Sequence, residues 1–448
     1  MGKYFGTDGI RGIAGEYLTA PLAYLIGYAA ATTVGGQKAG GGRPRAVIGK
    51  DTRVSGDMLE AALISGLCSG GADVEPVGVA PTPAIAYLTK KENADIGVVI
   101  SASHNSFEHN GIKIFNAEGF KLSDELEAEI ERIIDSPEEI HPKTFGDIGR
   151  RVGGRYGVGR YIEHLQKRID GDFSGLKIAI DCANGAASPT AERLFRKLGK
   201  QVKIINSNPN GSNINDRCGS TDLKELRRAV LHGGYDVGFA FDGDADRCLA
   251  IDEQGGVIDG DVLLAILARD MKQHALLKND IIVGTIISNS GLNEFARRQG
   301  IDVLRSDVGD RNVLELMKKN DVCLGGESSG HIIFLDDATT GDGQLTAIKC
   351  LNLLARSDKK ISEITADFPR YPQVAINVPV AAGDKSRIMD SQQLAEAVER
   401  EKLQIGPAGS VLVRPSGTEA LIRVTVEAEN EVLAFGSAEK LAEIVKIL

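Results

Sequence analysis

The chain alternates short apolar runs with amphipathic stretches, and it does so three times in succession. Such an order restricts the fold to helices layered on both faces of largely parallel sheets, because a strand that leads into a helix returns beside the first strand. In the first round, 46–48 reads as a strand, 58–68 as a helix and 73–77 as a strand. A helix at 84–89, strands at 96–101 and 112–115 and a helix at 124–134 follow. The second round runs strand 177–181, a helix from Ser188-Pro189 through Leu198, strand 202–205, helix 223–231 and strands 237–241 and 248–251. Ser188 is expected to cap that helix, with Pro189 in its first turn. The third holds helix 262–271, strand 281–287, helix 292–299, strand 303–304, helix 312–319, an apolar segment at 322–334 and helix 344–354.

The order then changes. Pro369-Arg370-Tyr371-Pro372 blocks both helix and central strand. Beyond it come strand 374–378, helix 391–402, strands 410–413 and 421–427 and helix 438–447, the pattern of a smaller α+β domain. With 448 residues the chain exceeds one ordinary core. We expect an α/β protein of three similar units, 1–150, 151–256 and 257–368, with mixed, largely parallel sheets. A C-terminal α+β domain at 369–448 completes a central cleft. The Gly- and Arg-rich stretch 150–160 is expected to bridge the first two units.

Net charge is −10, which argues against a general nucleic-acid surface and requires a local basic pocket for any anionic ligand. Six cysteines are scattered without a C-x-x-C pair. That disfavours a thiolate zinc site or a disulfide framework and points to a reducing cytoplasm. The uncharged stretch 17–37 keeps helical spacing at Leu22, Leu25, Ile26 and Ala29, interrupted by Thr and Gly, so a core helix is expected and no membrane span. Asp8 and Arg11 fall where a secretory apolar segment would start.

Chemistry concentrates in Asp242-Gly243-Asp244-Ala245-Asp246-Arg247, a turn between two apolar strands. Three carboxylates at alternate positions repel one another unless a cation joins them, and oxygen-only ligands favour a hard divalent ion. Arg247 suggests that a phosphate comes to the same place. An EF-hand is excluded, since its sixth position would be Arg247 in place of Gly and its flanks are strands. A plain polar hairpin is the duller alternative. Ser101-Ala102-Ser103-His104-Asn105 follows the strand that ends at Ile100, where ligands of α/β sheets sit, and Lys113 lies shortly downstream. A phosphorylated Ser103 would add the missing oxygen ligand. No Ser-His-Asp order or G-x-S-x-G elbow supports a hydrolase triad. Gly325-Gly326-Glu327-Ser328-Ser329-Gly330-His331 sets a carboxylate, hydroxyls and an imidazole between glycines, which suits polyol recognition. Arg414-Pro415-Ser416-Gly417-Thr418-Glu419, followed by Arg423, has the makings of a phosphate cradle and lacks the Walker pattern.

On these motifs, and on Gly6-Thr7-Asp8-Gly9-Ile10-Arg11-Gly12, the chain resembles the α-D-phosphohexomutases across nearly its whole length. Ala245 and Thr339-Thr340-Gly341-Asp342-Gly343 lean towards the bacterial glucosamine branch. Ser328 and Ser106 stand where that branch commonly has Gln and Pro. The resemblance implies Ser103 as the phosphoryl carrier and Mg²⁺ held by Asp242, Asp244, Asp246 and the phosphate on Ser103. It implies sugar contacts from Glu327 and Ser329, and a phosphate grip from Arg414, Ser416, Gly417 and Thr418. The implied reaction interconverts glucosamine 6-phosphate and glucosamine 1-phosphate through a 1,6-bisphosphate. Glucosamine or glucose 1,6-bisphosphate is a possible activator, and a homodimer is common in the family. Arg247 and Arg11 are expected on the phosphate. Lys113 or His104 is expected to handle the hydroxyl proton, with Lys113 preferred because burial and nearby cations would lower its pKa. His331 fits either a loop-stabilising hydrogen bond or proton transfer. Rival readings are a phosphoglucomutase/phosphomannomutase, a metal-dependent sugar-phosphate phosphatase and a silent sugar-phosphate sensor.

Overall fold

The computed structural model describes every residue except 1, 7, 36–41, 154–156, 407–408 and 417–419. In the first unit, β1 (Ile10–Ile13), β2 (Arg45–Lys50), β3 (Asp73–Val79), β4 (Ile96–Ile100) and β5 (His109–Phe115) lie in the order β1-β5-β4-β2-β3. β2 runs parallel to β3 and β4, while β5 is antiparallel to β4 and β1. The second unit repeats this with β6 (Lys177–Asp181), β7 (Gln201–Ile205), β8 (Val237–Phe241), β9 (Cys248–Asp252) and β10 (Val257–Ile258), ordered β10-β9-β8-β6-β7. The third holds β11 (Ile281–Thr285), β12 (Asp302–Ser306), β13 (Leu324–Gly326) and β14 (Ile332–Phe334), ordered β12-β11-β13-β14. Set side by side, the three share one plan, in which β4, β8 and β13 pair parallel with β2, β6 and β11 and turn back through a hairpin into β5, β9 and β14.

β4 and β8 are buried at every residue, which is why they read as unbroken apolar runs; helices cover both faces of a parallel centre. One continuous core joins the three units. It includes Val99 and Phe115 from the first, Ile180 and Phe239 from the second and Leu264 and Ile348 from the third. The loops of all three units are therefore held at fixed relative positions. The C-terminal sheet of β15 (Gln373–Pro379), β16 (Ser410–Pro415) and β17 (Leu421–Glu427) is antiparallel in the order β15-β17-β16. Its core, centred on Ile422, Val424, Val426 and Leu441, is separate. Polar contacts link it to the third unit. Ser290 N–H donates to Glu427 Oε2 at 2.8 Å, and Asn289 Nδ2 donates to the Tyr371 carbonyl at 2.9 Å.

The apolar segment 322–334 forms the hairpin β13–β14. Two local expectations change. The last helix, Glu431–Ile447, begins ahead of residue 438, because Asn430 accepts from Leu433 N–H and caps it. Ser188 is no cap: the turn Gly185–Ser188 starts winding one residue sooner, and Ser188 Oγ is left without a partner. No helix among the described residues is long and apolar enough to cross a membrane.

Candidate active site

The corresponding hairpin carries the candidate chemistry in every unit: Ser103 between β4 and β5, the aspartates between β8 and β9, and Glu327 to His331 between β13 and β14. Ser103 is buried and sits in the left-handed region at φ 52°, strained for a residue with a Cβ. A built scaffold holds it there. Its N–H donates to Ser101 Oγ at 2.9 Å, and Ser101 Oγ donates to Asp51 Oδ2 at 2.7 Å. Arg53, paired with Asp51 at 2.8 Å and fully buried with it, donates to the carbonyls of Ser103, Asn105, Ser106 and His109. Asn215 Nδ2 binds the Ser103 and Asn105 carbonyls from the second unit at 2.9 and 3.0 Å.

Across the unit boundary, Ser103 Oγ donates to Asp242 Oδ2 at 2.6 Å. Gly243 permits this approach: a Cβ there would collide with the Ser103 carbonyl oxygen. Carboxylate oxygens of Asp242, Asp244 and Asp246 lie within 4.8 Å of one another, all three residues buried. Asp244 Oδ1 and Asp246 Oδ1 have no hydrogen-bond partner, although both are buried. Burial, then Asp246 and Asp244, push Asp242 well above the usual carboxylate range. Crowded anionic oxygens with unused lone pairs, beside a serine hydroxyl, fit a hard divalent cation.

Lys113, on β5, is buried and contacts Asp244 at 2.9 Å, Asp8 at 3.1 Å and Asp246 at 3.5 Å. The lowered pKa expected for it is overturned. Burial does act to lower it, but Asp244, Asp8 and Asp246 outweigh burial and raise it above the ordinary lysine range. His104 moves the other way. Burial, then Arg247 and Arg11, bring it to about 4, and its Nδ1 lies 3.4 Å from Ser103 Oγ. Arg11 pairs with Asp8 and donates to the Ala102 carbonyl at 3.2 Å. Arg247 anchors the turn through its N–H to Asp242 Oδ1 at 3.1 Å, while its buried Nε, 4.0 Å from Asp246 Oδ1, makes no hydrogen bond.

In the third hairpin, Gly341 N–H donates to His331 Nε2 at 3.0 Å, and the other ring nitrogen, Nδ1, faces Asp246 Oδ2 at 3.6 Å. This loop-stabilising bond is one of the two roles expected for His331. Glu327 Oε1 accepts from Gly309 N–H at 3.1 Å, and Ser329 Oγ is buried without a partner. Arg414 and Arg423 face each other in register on β16 and β17, and Lys385 Nζ donates to the Ser416 carbonyl at 2.7 Å. Arg423 Nε donates to Asn377 Oδ1 on the neighbouring strand at 2.8 Å. Gly417 and Thr418 lie outside the described residues. Sequence reading missed Thr82, whose Oγ1 donates to Asp244 Oδ2 at 2.6 Å, and Lys121, which bridges Asp8 and Asp310 at 2.6 Å each. It also missed Asp51 and Arg53, although an Asp-x-Arg directly after a buried strand is a usable signal.

Three repeats that bring a serine, an acidic turn and a polar loop to one point define a class. The chain belongs to the phosphoglucomutase/phosphomannomutase family, matching its alpha/beta/alpha domain I over residues 2–141, domain II over 159–256, domain III over 259–371 and C-terminal domain over 376–444. Among curated relatives, the phosphoglucosamine mutase of Acetivibrio thermocellus is 48% identical over 450 residues, covering 100% of this chain and 99% of its own. A phosphoglucomutase/phosphomannomutase family protein of Burkholderia thailandensis shares the fold with a TM-score of 0.79 at 24% identity, covering 98% of this chain and 96% of its own. The N-acetylphosphoglucosamine mutase of Aspergillus fumigatus, solved with GlcNAc-6P and magnesium, superposes with a TM-score of 0.68 at 18% identity, covering 99% and 95%.

Proposed function

We propose that this protein interconverts glucosamine 6-phosphate and glucosamine 1-phosphate, with Ser103 as the phosphoryl carrier. The observation that carries the reading is the 2.6 Å contact between Ser103 Oγ and Asp242, made inside a ring of buried carboxylates and cations. The similarity to phosphoglucosamine mutases supports the amino sugar over glucose or mannose. The six free cysteines support a reducing cytoplasm as its place.

Asp242, Asp244, Asp246 and the Ser103 phosphate would hold Mg²⁺, which supplies Lewis-acid stabilisation of charge on the serine oxygen and phosphoryl group. In the forward direction the P–Oγ bond at Ser103 breaks as a P–O1 bond forms, and the O1 proton passes to a nearby base. His104, which burial keeps neutral and whose Nδ1 lies 3.4 Å from Ser103 Oγ, is the base for that task, while Lys113, held protonated by Asp244, Asp8 and Asp246, offsets negative charge beside it. The bisphosphorylated sugar then turns over. Its P–O6 bond breaks as P–Oγ re-forms, and the proton returns to O6. Arg247 and Arg11 bind the moving phosphoryl group; their charges offset what develops on its oxygens. Glu327 and Ser329 orient the sugar hydroxyls, and Arg414, Ser416, Gly417, Thr418 and Arg423 hold the distal phosphate. The C-terminal domain, with its separate core, closes over the substrate about the 369–372 linker and keeps water from the phosphoserine.

The test is a coupled assay with glucosamine 6-phosphate, run beside intact mass measurement. Wild type should carry phosphate and turn over; Ser103→Ala should show neither. Equal turnover on glucose or mannose phosphates would move the assignment within the family. Release of inorganic phosphate in step with substrate loss would make it a phosphatase.

A further inference from the structure

A second cavity, of about 600 Å³, lies where the first, second and third units meet. Tyr87 and Lys90 reach it from the helix Thr82–Lys91, His164 from the helix Gly159–Gln166, and Asp337 and Asp342 from the loop ahead of the helix Gly343–Ala355. None of the carrier serine, the aspartate trio or Arg247 lines it.

Its charge is unbalanced in one direction. Asp337 is neutralised by Arg168 at 2.5 Å and Lys349 at 2.7 Å, and Asp336 by Lys278 at 2.8 Å. Asp342 accepts from the buried Tyr161 hydroxyl at 2.9 Å. Lys90, Lys91 and Lys167, which also line the opening, have no ion-pair partner among the described residues. Three uncompensated ammonium groups at one mouth, on a chain of net charge −10, form a local anion trap. Beside them Tyr87 and His164 stack on each other with ring centroids 4.3 Å apart and planes 27° apart, and both stay part-exposed, so the outer face of the pair offers an aromatic surface at the opening. Cations next to an aromatic face suit a phosphate attached to an aromatic base, since base–aromatic stacking adds an attraction that a bare phosphate or sugar phosphate lacks.

The loop that lines this cavity also supports the reactive centre. Gly341 N–H bonds His331, and Gly343 N–H donates to the Ala245 carbonyl inside the acidic turn at 3.0 Å. Thr339 Oγ1 donates to the Gly119 carbonyl at 2.5 Å, tying the same loop to the first unit. We propose that this three-unit cavity is a second site, one that binds a nucleoside phosphate and, through the 337–343 loop, alters turnover at the acidic turn.

The experiment is calorimetric titration of ADP, UDP and inorganic phosphate into the full-length, Mg²⁺-loaded enzyme, with the catalytic site saturated by sugar phosphate. One nucleotide should bind at one site per chain. Its affinity should fall at least about tenfold in the surface variant Lys90→Ala/Lys91→Ala/Lys167→Ala, equivalent to the loss of about one charge-assisted contact. That variant should keep wild-type turnover without nucleotide and lose the response to it; Tyr87→Leu should weaken the nucleotide while leaving weak phosphate binding intact. Three results would overturn the assignment: no binding of either nucleotide, equal binding to the triple-lysine variant, or inorganic phosphate binding as tightly as the nucleotides. Binding with no change in turnover would remove the coupling.

Discussion

Arg53 Nη2 donates to the Ser103 carbonyl at 3.0 Å, and Asp51, not the acidic turn, balances the arginine's charge. The serine hairpin thus carries its own buried ion pair, independent of any cation at the aspartates. Removing one partner of a buried pair leaves the other charge uncompensated, which costs about 3–5 kcal/mol. Arg53→Met should therefore lower the thermal midpoint sharply and abolish turnover. The double variant Arg53→Met/Asp51→Leu should recover much of the midpoint and none of the turnover, since four carbonyls of the serine loop still lack their donor. Thermal unfolding and kcat, measured on both variants, separate the two effects.

Gly243→Ala adds a Cβ against the Ser103 carbonyl, with Asn215 Nδ2 at 2.8 Å and Ile214 Cδ1 at 2.9 Å as its other neighbours. The serine hairpin and the acidic turn must then part. A displacement of about 1 Å at a reacting group can cost about a hundredfold in rate. We expect kcat to fall by about that factor, with KM for the sugar phosphate little changed, because the residues proposed for the sugar lie on other loops. Steady-state kinetics checks both.

Chelation of divalent ions should stop phosphoryl transfer, and Mg²⁺ should restore it. At about one hundred times its dissociation constant, Mg²⁺ should also stabilise the fold by about 2.7 kcal/mol. Asp244→Asn should lose that thermal response along with activity. A midpoint insensitive to Mg²⁺ in the wild type would contradict a cation site built from these three carboxylates.

Burial pushes Asp342 up to about 7 in the folded chain, from an ordinary 3.8. Between these values the native state holds a proton that the unfolded chain has released. This contribution to stability is full below about pH 4 and is lost as pH rises through about 7. Asp342→Asn removes the titration while its side-chain oxygen can still accept from Leu345 N–H, as Asp342 Oδ1 does at 2.9 Å. The variant should gain on the wild type from pH 5 to pH 8, by a few kcal/mol at most. Denaturation midpoints of both proteins across that range test the sign.

Sequence reading placed β6 and β17 to the residue, because a strand buried between helices or paired along its whole length shows in local pattern alone. It brought Ser103, Asp242 and Lys113 to one site because each sits in a compact motif after an apolar run. It did not find Thr82, Lys121 or Arg53, whose meaning comes from partners 162, 113 and 50 residues away. The same blindness reversed the pKa expected for Lys113: Asp8, just ahead of the β1 strand that pairs with β5, adds a third carboxylate from the start of the chain, and no local spacing announces it. The helix Gly159–Gln166, which begins at the end of the Gly- and Arg-rich connector 150–160, was not read at all, although Tyr161, Ile162 and Leu165 carry its buried face.

The partition of the reactive groups among successive hairpins has a consequence for the nascent chain. Ser103 and Asp242 are 139 residues apart, so the serine leaves the ribosome long before its acidic partner exists. Until the second unit has emerged and docked, the contact between that hydroxyl and Asp242 cannot form, so the arrangement arrives with tertiary assembly, and a truncated product ending before residue 242 lacks it.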